Sequence, residues 1–229
     1  MKRLHTAICA LTIATCSLAA FASKSDQVER LNDAKSVLDE IMATPDKSIP
    51  NSILANAYCV IVVPSMKKAA FIVGGQYGRG VATCRSTPSG KWSAPVMVKL
   101  EGGSVGFQIG GQSTDLVLVG MNARSGQDML RNKFKIGGDA AASAGPVGRN
   151  AQAGTDWKLG AEFLTWSRSK GLFAGIDLNG DVLSQSDSDT RELYGANVPF
   201  ETILKGNQAA PQEAMPFLRT VSKYFRAAQ

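Results

Sequence analysis

Cysteines, one histidine and a scatter of serines and carboxylates are the side chains from which this sequence would have to build chemistry. Cys59 and Cys84 each border a run that reads as strand, and in an oxidising compartment such a pair forms a disulfide. Closing that loop would contribute roughly 3 kcal/mol in the chain-entropy description; two buried free thiols are the alternative. His5 is the only histidine and lies in the first segment of the chain. Its position removes the usual general base, the Ser-His-Asp and Cys-His arrangements and the commonest zinc ligand from any folded domain that follows. Ser65, Ser104 and Ser113 therefore have no histidine to activate them.

The carboxylates offer no better start. Asp177, Asp181, Asp187 and Asp189 gather in a loop-like stretch and read as a solvated acidic face. Asp177, Asn179 and Asp181 suggest a calcium loop, but the turn chemistry of Asn179-Gly180 accounts for them without an ion, and the closing Glu is missing. Gly75-Gln-Tyr-Gly78-Arg-Gly80 lacks the glycine spacing of a dinucleotide loop, and strand rather than helix follows it. The sequence therefore predicts neither an enzyme nor a metal or cofactor site.

The elements that would position these residues centre on Pro64 to Met121. Eleven of the 23 glycines fall between Gly74 and Gly120, set among short apolar runs. Glycine inside strand patterns marks bends, bulges or close backbone approach, so a curved sheet is expected. Cys59 to Val63 and Ala69 to Val73 read as two strands, with Ser65 to Lys68 as a basic turn between them. Val96, Val98 and Leu100 alternate with Met97, Lys99 and Glu101, the pattern of a strand buried on one face. Leu116 to Val119 reads as fully buried. Glu162 to Arg168 and Leu172 to Leu178 look like a strand pair, and Asn179-Gly180 signals a hairpin toward Val182.

Helices flank this sheet. From Ser25 to Met42, Val28, Leu31, Ala34, Leu38, Ile41 and Met42 recur at helical spacing, and Pro45 ends the run. Shorter helices are expected at Pro50 to Ala57, with Ser48 as cap, at Gly126 to Asn132 and at Pro199 to Lys205. A last one runs from Pro216 to Ala228. The fold class is α+β: one compact domain with a curved, glycine-rich, mainly antiparallel sheet or barrel-like core between N- and C-terminal helices.

Lys2 and Arg3 precede an apolar run that ends at Ala20-Phe21-Ala22, the layout of a secretory signal peptide over residues 1–22. Residues 23–229 then form the domain, with a periplasmic or secreted address and possible membrane association. Ile13-Ala14-Thr15-Cys16 is similar to a lipobox, which makes lipidation at Cys16 the lesser alternative. Losing Lys2 and Arg3 lowers the formal charge from +6 to +4, so nucleic-acid binding by bulk charge is not expected. The basic residues are unevenly placed, however. No acid lies between Asp46 and Glu101, and the acids collect instead at Asp177 to Glu192. Lys67, Lys68, Arg79 and Lys170, helped by Lys91, are the candidates for contact with an anionic membrane surface.

The blocks VPSMKKAAFIVGGQYGRGV, KWSAP, GGSVGFQIGGQSTDLVLV, GPVGR and SRSKGLFAGIDLNG, in this order, resemble the SYLF domain, also described as Ysc84-like. The resemblance runs from about Leu31 to the C-terminal helix. It implies an α+β domain that binds anionic phospholipids, with phosphoinositides as ligands of eukaryotic members and actin as a partner of some fungal ones. It implies no catalytic residue. The expected function is non-enzymatic binding of an anionic phospholipid or envelope surface, and actin is not expected in the compartment that a signal peptide implies. A periplasmic protein-interaction or structural role, with an envelope protein as partner, is the alternative.

Overall fold

The computed structural model describes residues 24–44, 48–146, 161–169, 172–173 and 178–226. Two long strands carry the architecture: β1 (Cys59–Cys84) and β2 (Val96–Gly120) pair antiparallel from Cys59↔Gly120 to Ala82↔Val96. At about 3.3 Å per residue, a straight strand of this length would reach roughly 80 Å. The Cα atoms of Cys59 and Cys84 are nevertheless 4.1 Å apart. The ribbon therefore curls until the two ends of β1 meet, and the Cys59–Cys84 disulfide joins them.

Glycine makes that meeting possible. A Cβ on Gly80 would stand 2.5 Å from the carbonyl oxygen of Val62, and one on Gly78 would stand 2.4 Å from Cγ1 of Val63. Real Cβ atoms do not approach so closely, and Val62 offers a backbone atom that cannot rotate away. The second half of β1 thus lies directly against the first where it carries no side chain.

The expected turn at Ser65 to Lys68 is instead a bulge within one continuous strand. Val63 pairs with Leu116 and Met66 with Thr114, so β1 carries one extra residue here. Ser65 takes φ 49°, and its N–H donates to Oδ1 of Asp115 at 2.9 Å. Pro64 has no N–H to give to a ladder, and a bulge is where a strand can hold it. The extra residue also reverses the alternation of faces. Odd-numbered Cys59, Ile61 and Val63 and, past the bulge, even-numbered Met66, Ala82 and Cys84 all belong to one buried cluster.

The second edge of β2 holds two different strands. β7 (Val182–Gln185) pairs with Val98–Glu101, and β5 (Phe163–Ser169) pairs with Thr114–Gly120. Outside them lie β3 (Lys133–Lys135) against β7, β4 (Ala142–Ala144) parallel to β5, and β6 (Leu172–Phe173) antiparallel to β5. Among the described residues the sheet has seven strands and is mixed, with β4 its parallel member. Asn179-Gly180 does turn the chain, with Gly180 at φ 90°. The strand after it pairs with β2 and β3 rather than folding back on β6, which corrects the expected hairpin.

Both faces of the sheet are buried. On one, Val60, Val62, Val81, Met97, Val117 and Val119 pack with Leu31, Leu38 and Ile41 of α1 (residues 24–42). The same cluster takes in Ile53 and Leu54 of α2 (Asn51–Asn56) and Phe217 and Val221 of α6 (Met215–Tyr224). On the other, Val96, Val98, Leu100, Leu116 and Leu118 pack with Phe134, Phe163 and Ile203, the first two phenylalanines stacking at 5.5 Å. Met97 is fully buried beneath the helices, while Lys99 is half-buried and Glu101 exposed, so the expected alternation fails at Met97 and holds beyond it. Each such Val, Leu or Ile contributes about 1.5–3 kcal/mol. α3 (Ala123–Met129) starts earlier than expected because Asn122 caps it, its Oδ1 accepting from Ser125 N at 3.0 Å. α2 starts after Pro50 with no side-chain cap, so Ser48 is not its cap. α4 (Asp187–Tyr194) and α5 (Phe200–Leu204) complete the chain before the short 3-10 turn Gln212–Ala214.

If the crossing of β1 governs stability, Gly80→Ala should cost about 1–3 kcal/mol in denaturant unfolding, as overpacking does. Gly111→Ala, whose Cβ meets nothing within 4 Å, should cost less than about 0.5 kcal/mol. Equal costs for the two would contradict the crossing. The denatured chain should also titrate two more thiols after reduction than before it.

Candidate functional site

Of the five basic residues singled out by the sequence, the four among the described residues do not share one cleft. Lys67 is exposed and donates to Oγ of Ser113 at 3.1 Å, and Lys68 follows it on β1, opposite Gln112. Lys67 and Arg79 border one cleft, but Asp26, Glu29 and Asp33 of α1 border it too. Lys91 lies elsewhere, in the loop between β1 and β2. Lys170 falls outside the described residues, as do residues 1–22 with Cys16, and Asp177.

Arg79 is already committed. Its Nε and Nη2 donate to Oδ2 and Oδ1 of Asp189 at 3.1 and 2.5 Å, and Nη1 of Arg30 reaches the same carboxylate at 3.1 Å. Asp189 is 2% exposed. The register explains the pairing: Gly80 faces Val98 on β2, β7 lies on the far side of Val98, and α4 leaves β7 carrying Asp189. The segment read as a solvated acidic face therefore supplies two buried carboxylates. The second, Asp181, is fully buried and accepts from Nε2 of Gln76 at 2.5 Å, in space that a side chain at Gly102 would fill. Buried carboxylates need partners, and one of the partners here, Arg79, is a residue that was expected to stay free for a ligand.

Arg85 is the residue that sequence reasoning missed. It directly follows the disulfide and is 6% exposed. Its guanidinium donates to the carbonyls of Leu54, Ala55, Ala57 and Phe225 at 2.7–3.3 Å. These are carbonyls at the C-terminal ends of α2 and α6, where unsatisfied acceptors and the helix dipole favour a cation. Burial lowers the pKa of Arg85 from its ordinary value. Its guanidinium carbon also lies 4.4 Å from the ring centre of Trp92, and Trp92 meets Phe225 edge-on at 5.8 Å. No periodicity marks such a residue, since its partners are backbone atoms distant in sequence.

Fixing Trp92 between Arg85 and Phe225 shapes a groove of about 570 Å3 between the 85–92 loop and α6. Met215, 40% exposed, and Leu218 line it with Trp92, while Lys91, Ser222 and Arg226 supply its polar groups. Among the described residues, neither Asp nor Glu lines it.

Acid–base chemistry has one further candidate. Asp128 of α3 is fully buried and interacts with Glu162, which precedes β5. Nε of Arg124 is 3.1 Å from Glu162, and Nε of Arg131 is 3.4 Å from Asp128. Burial, then the hydrogen bond and charge of Asp128, raise the pKa of Glu162. The pair can hold one proton between two carboxyls. Among the described residues, no group of three or more His, Cys, Asp or Glu is placed to hold a metal ion.

Comparison with known proteins places the sequence among relatives. Residues 101–224 match the family model described as Ysc84, Las17-binding protein actin regulator. The chain is 37% identical over 181 residues to an SH3 domain-containing protein of Schizosaccharomyces pombe, covering 77% of this chain and 42% of that one. It is 34% identical over 171 residues to SH3 domain-containing YSC84-like protein 1 of Rattus norvegicus, covering 74% and 50%. It is 32% identical over 178 residues to Protein YSC84 of Saccharomyces cerevisiae, covering 76% and 37%. The chain spans half or less of the length of these relatives, and none of their names states a reaction.

The carboxyl pair predicts how stability varies with pH. A carboxyl whose pKa is higher in the folded than in the unfolded chain favours folding fully below its unfolded value, near 4.5. That contribution is lost as pH rises through the raised value. Glu162→Gln should therefore flatten the fall in melting temperature above about pH 4.5, because its amide donates to Asp128 at every pH. An unchanged pH profile in this variant would show that the pair does not share a proton.

Proposed function

The chain belongs to the Ysc84 family, and from that membership and its acid-free groove we propose that it is a non-enzymatic binder of anionic phospholipid surfaces. The observation that carries this reading is the lining of the α6 groove, where Lys91 and Arg226 stand beside Trp92, Met215 and Leu218 with no carboxylate among them. Indole and exposed apolar side chains suit the headgroup region. Each Lys or Arg near an anionic bilayer contributes about 1 kcal/mol, reduced by salt. Lys67 and Lys68 add to the approach, but the acids of α1 beside Lys67 offset part of its charge. Arg79 contributes least, being paired with Asp189.

A secreted or periplasmic address, after cleavage at Ala22, is part of the proposal. The Cys59–Cys84 disulfide supports it, since such bonds persist in oxidising compartments. In that setting the surface met is an envelope membrane, and actin, which the family description mentions, is not the ligand proposed.

Sedimentation with vesicles tests the reading. The chain should co-sediment with anionic vesicles at low salt and not with neutral ones. Lys91→Glu with Arg226→Glu should weaken that association at least about tenfold and leave the melting temperature nearly unchanged. Lys67→Glu with Lys68→Glu should weaken it less. Undiminished sedimentation of the folded Lys91/Arg226 variant would refute the groove, and indifference to all vesicles with retention of an envelope protein would favour the protein-interaction alternative.

A further inference from the structure

Arg85 and Lys91 line two openings at once. On one side is the α6 groove of about 570 Å3, with Trp92, Met215 and Leu218 as its apolar part. On the other is a cavity of about 310 Å3 bordered by Ser86, Ser93, Gln127 and Lys205. Both fall within the size range of pockets that enclose small organic ligands. Their linings overlap in chemistry: the groove sets indole, thioether and aliphatic surface beside Lys91, Ser222 and Arg226, and the cavity sets Leu130 and Leu204 beside its hydroxyl, amide and ammonium groups. Among the described residues, no Asp or Glu lines either one.

Arg85, which lines both, supplies the charge. Arg85 is buried, and its hydrogen bonds go to backbone carbonyls, so a positive charge sits at the junction with no carboxylate opposite it. An anion resting there would feel that charge through little water and would gain a charge-assisted hydrogen bond from Lys91. An alkyl chain attached to the anion would run along α6 and cover Met215, one of the two exposed large apolar side chains among the described residues.

We infer that the two openings form one site for a single anionic amphiphile, its charged head at Lys91 and its alkyl chain along α6. The inference rests on the proposed affinity for anionic lipid surfaces but requires more than that affinity. A bilayer surface engages only the rim of the groove, whereas a single molecule needs the head cavity and the chain groove together.

Calorimetric titration of the full chain with octyl phosphate, kept monomeric, tests this, with octanol and inorganic phosphate as the separated halves. Octyl phosphate should saturate at one per chain, and each half should bind at least tenfold more weakly. Met215→Glu and Lys91→Glu, both at exposed positions, should each weaken octyl phosphate binding at least tenfold without lowering the melting temperature. Inorganic phosphate binding as tightly as octyl phosphate would reduce the site to a plain anion site and overturn the inference, as would unsaturable binding or an unaffected Met215→Glu variant. Vesicle binding without octyl phosphate uptake would overturn the single-molecule site and leave the surface reading standing. Octyl phosphate uptake without vesicle binding would do the reverse.

Discussion

The close approach of β1 to itself is the constraint on which the rest of the molecule depends. Gly78 and Gly80 meet Val62 and Val63 at distances that no side chain tolerates, and the disulfide holds the two ends of the same strand together. A two-stranded ribbon alone is marginal in water. Curled and crossed, it gains an inside and an outside, and each becomes a core. The bulge at Pro64-Ser65 keeps the two halves of β1 in phase, so that residues on either side of it feed the same interior.

The candidate site follows from that closure. Arg85 is the first residue after the tie, so wherever the ribbon closes, Arg85 is delivered. There it ends α2 and α6 together through their carbonyls and supports Trp92. The loop carrying Lys91 is thereby set beside α6, and cations from two parts of the chain distant in sequence share one groove. The cleft at Lys67 and Arg79 has a different character. There α1 brings Asp26, Glu29 and Asp33 toward Lys67, and α4 brings Asp189 to Arg79. Charge that looks free along the sequence is, at that place, spent on holding helices to the sheet.

Much of the fold was legible because it rests on local signals. The apolar spacing of Leu31, Ala34, Leu38 and Ile41 reports a helix face, and all four are buried. The glycine density after Gly74 reports curvature, and the two cysteines beside strand runs report a bond. What stayed hidden depends on partners far away in sequence. Pro64 reads as a stop because a ladder cannot use it, and only β2 alongside shows that the strand continues past it. Met97 reads as exposed because alternation does not reveal that helices cover the second face. Asp181 and Asp189 read as solvated because nothing near them in sequence announces Gln76, Arg30 or Arg79. For the site, Lys91 was legible as one of several cations in an acid-free stretch. Its companions Met215 and Arg226 were not, since only the docking of α6 brings them beside Lys91 and Trp92.

The central claim is that the Lys91–α6 groove, rather than the Lys67 cleft, meets an anionic surface. Hydrogen exchange of the chain with and without anionic vesicles tests it most directly, because backbone protection reports the contacted segment without altering any charge. Slower exchange confined to residues 86–92 and 215–226 is the predicted result. Protection concentrated in residues 24–44 and 64–68, with the groove unchanged, would contradict the account.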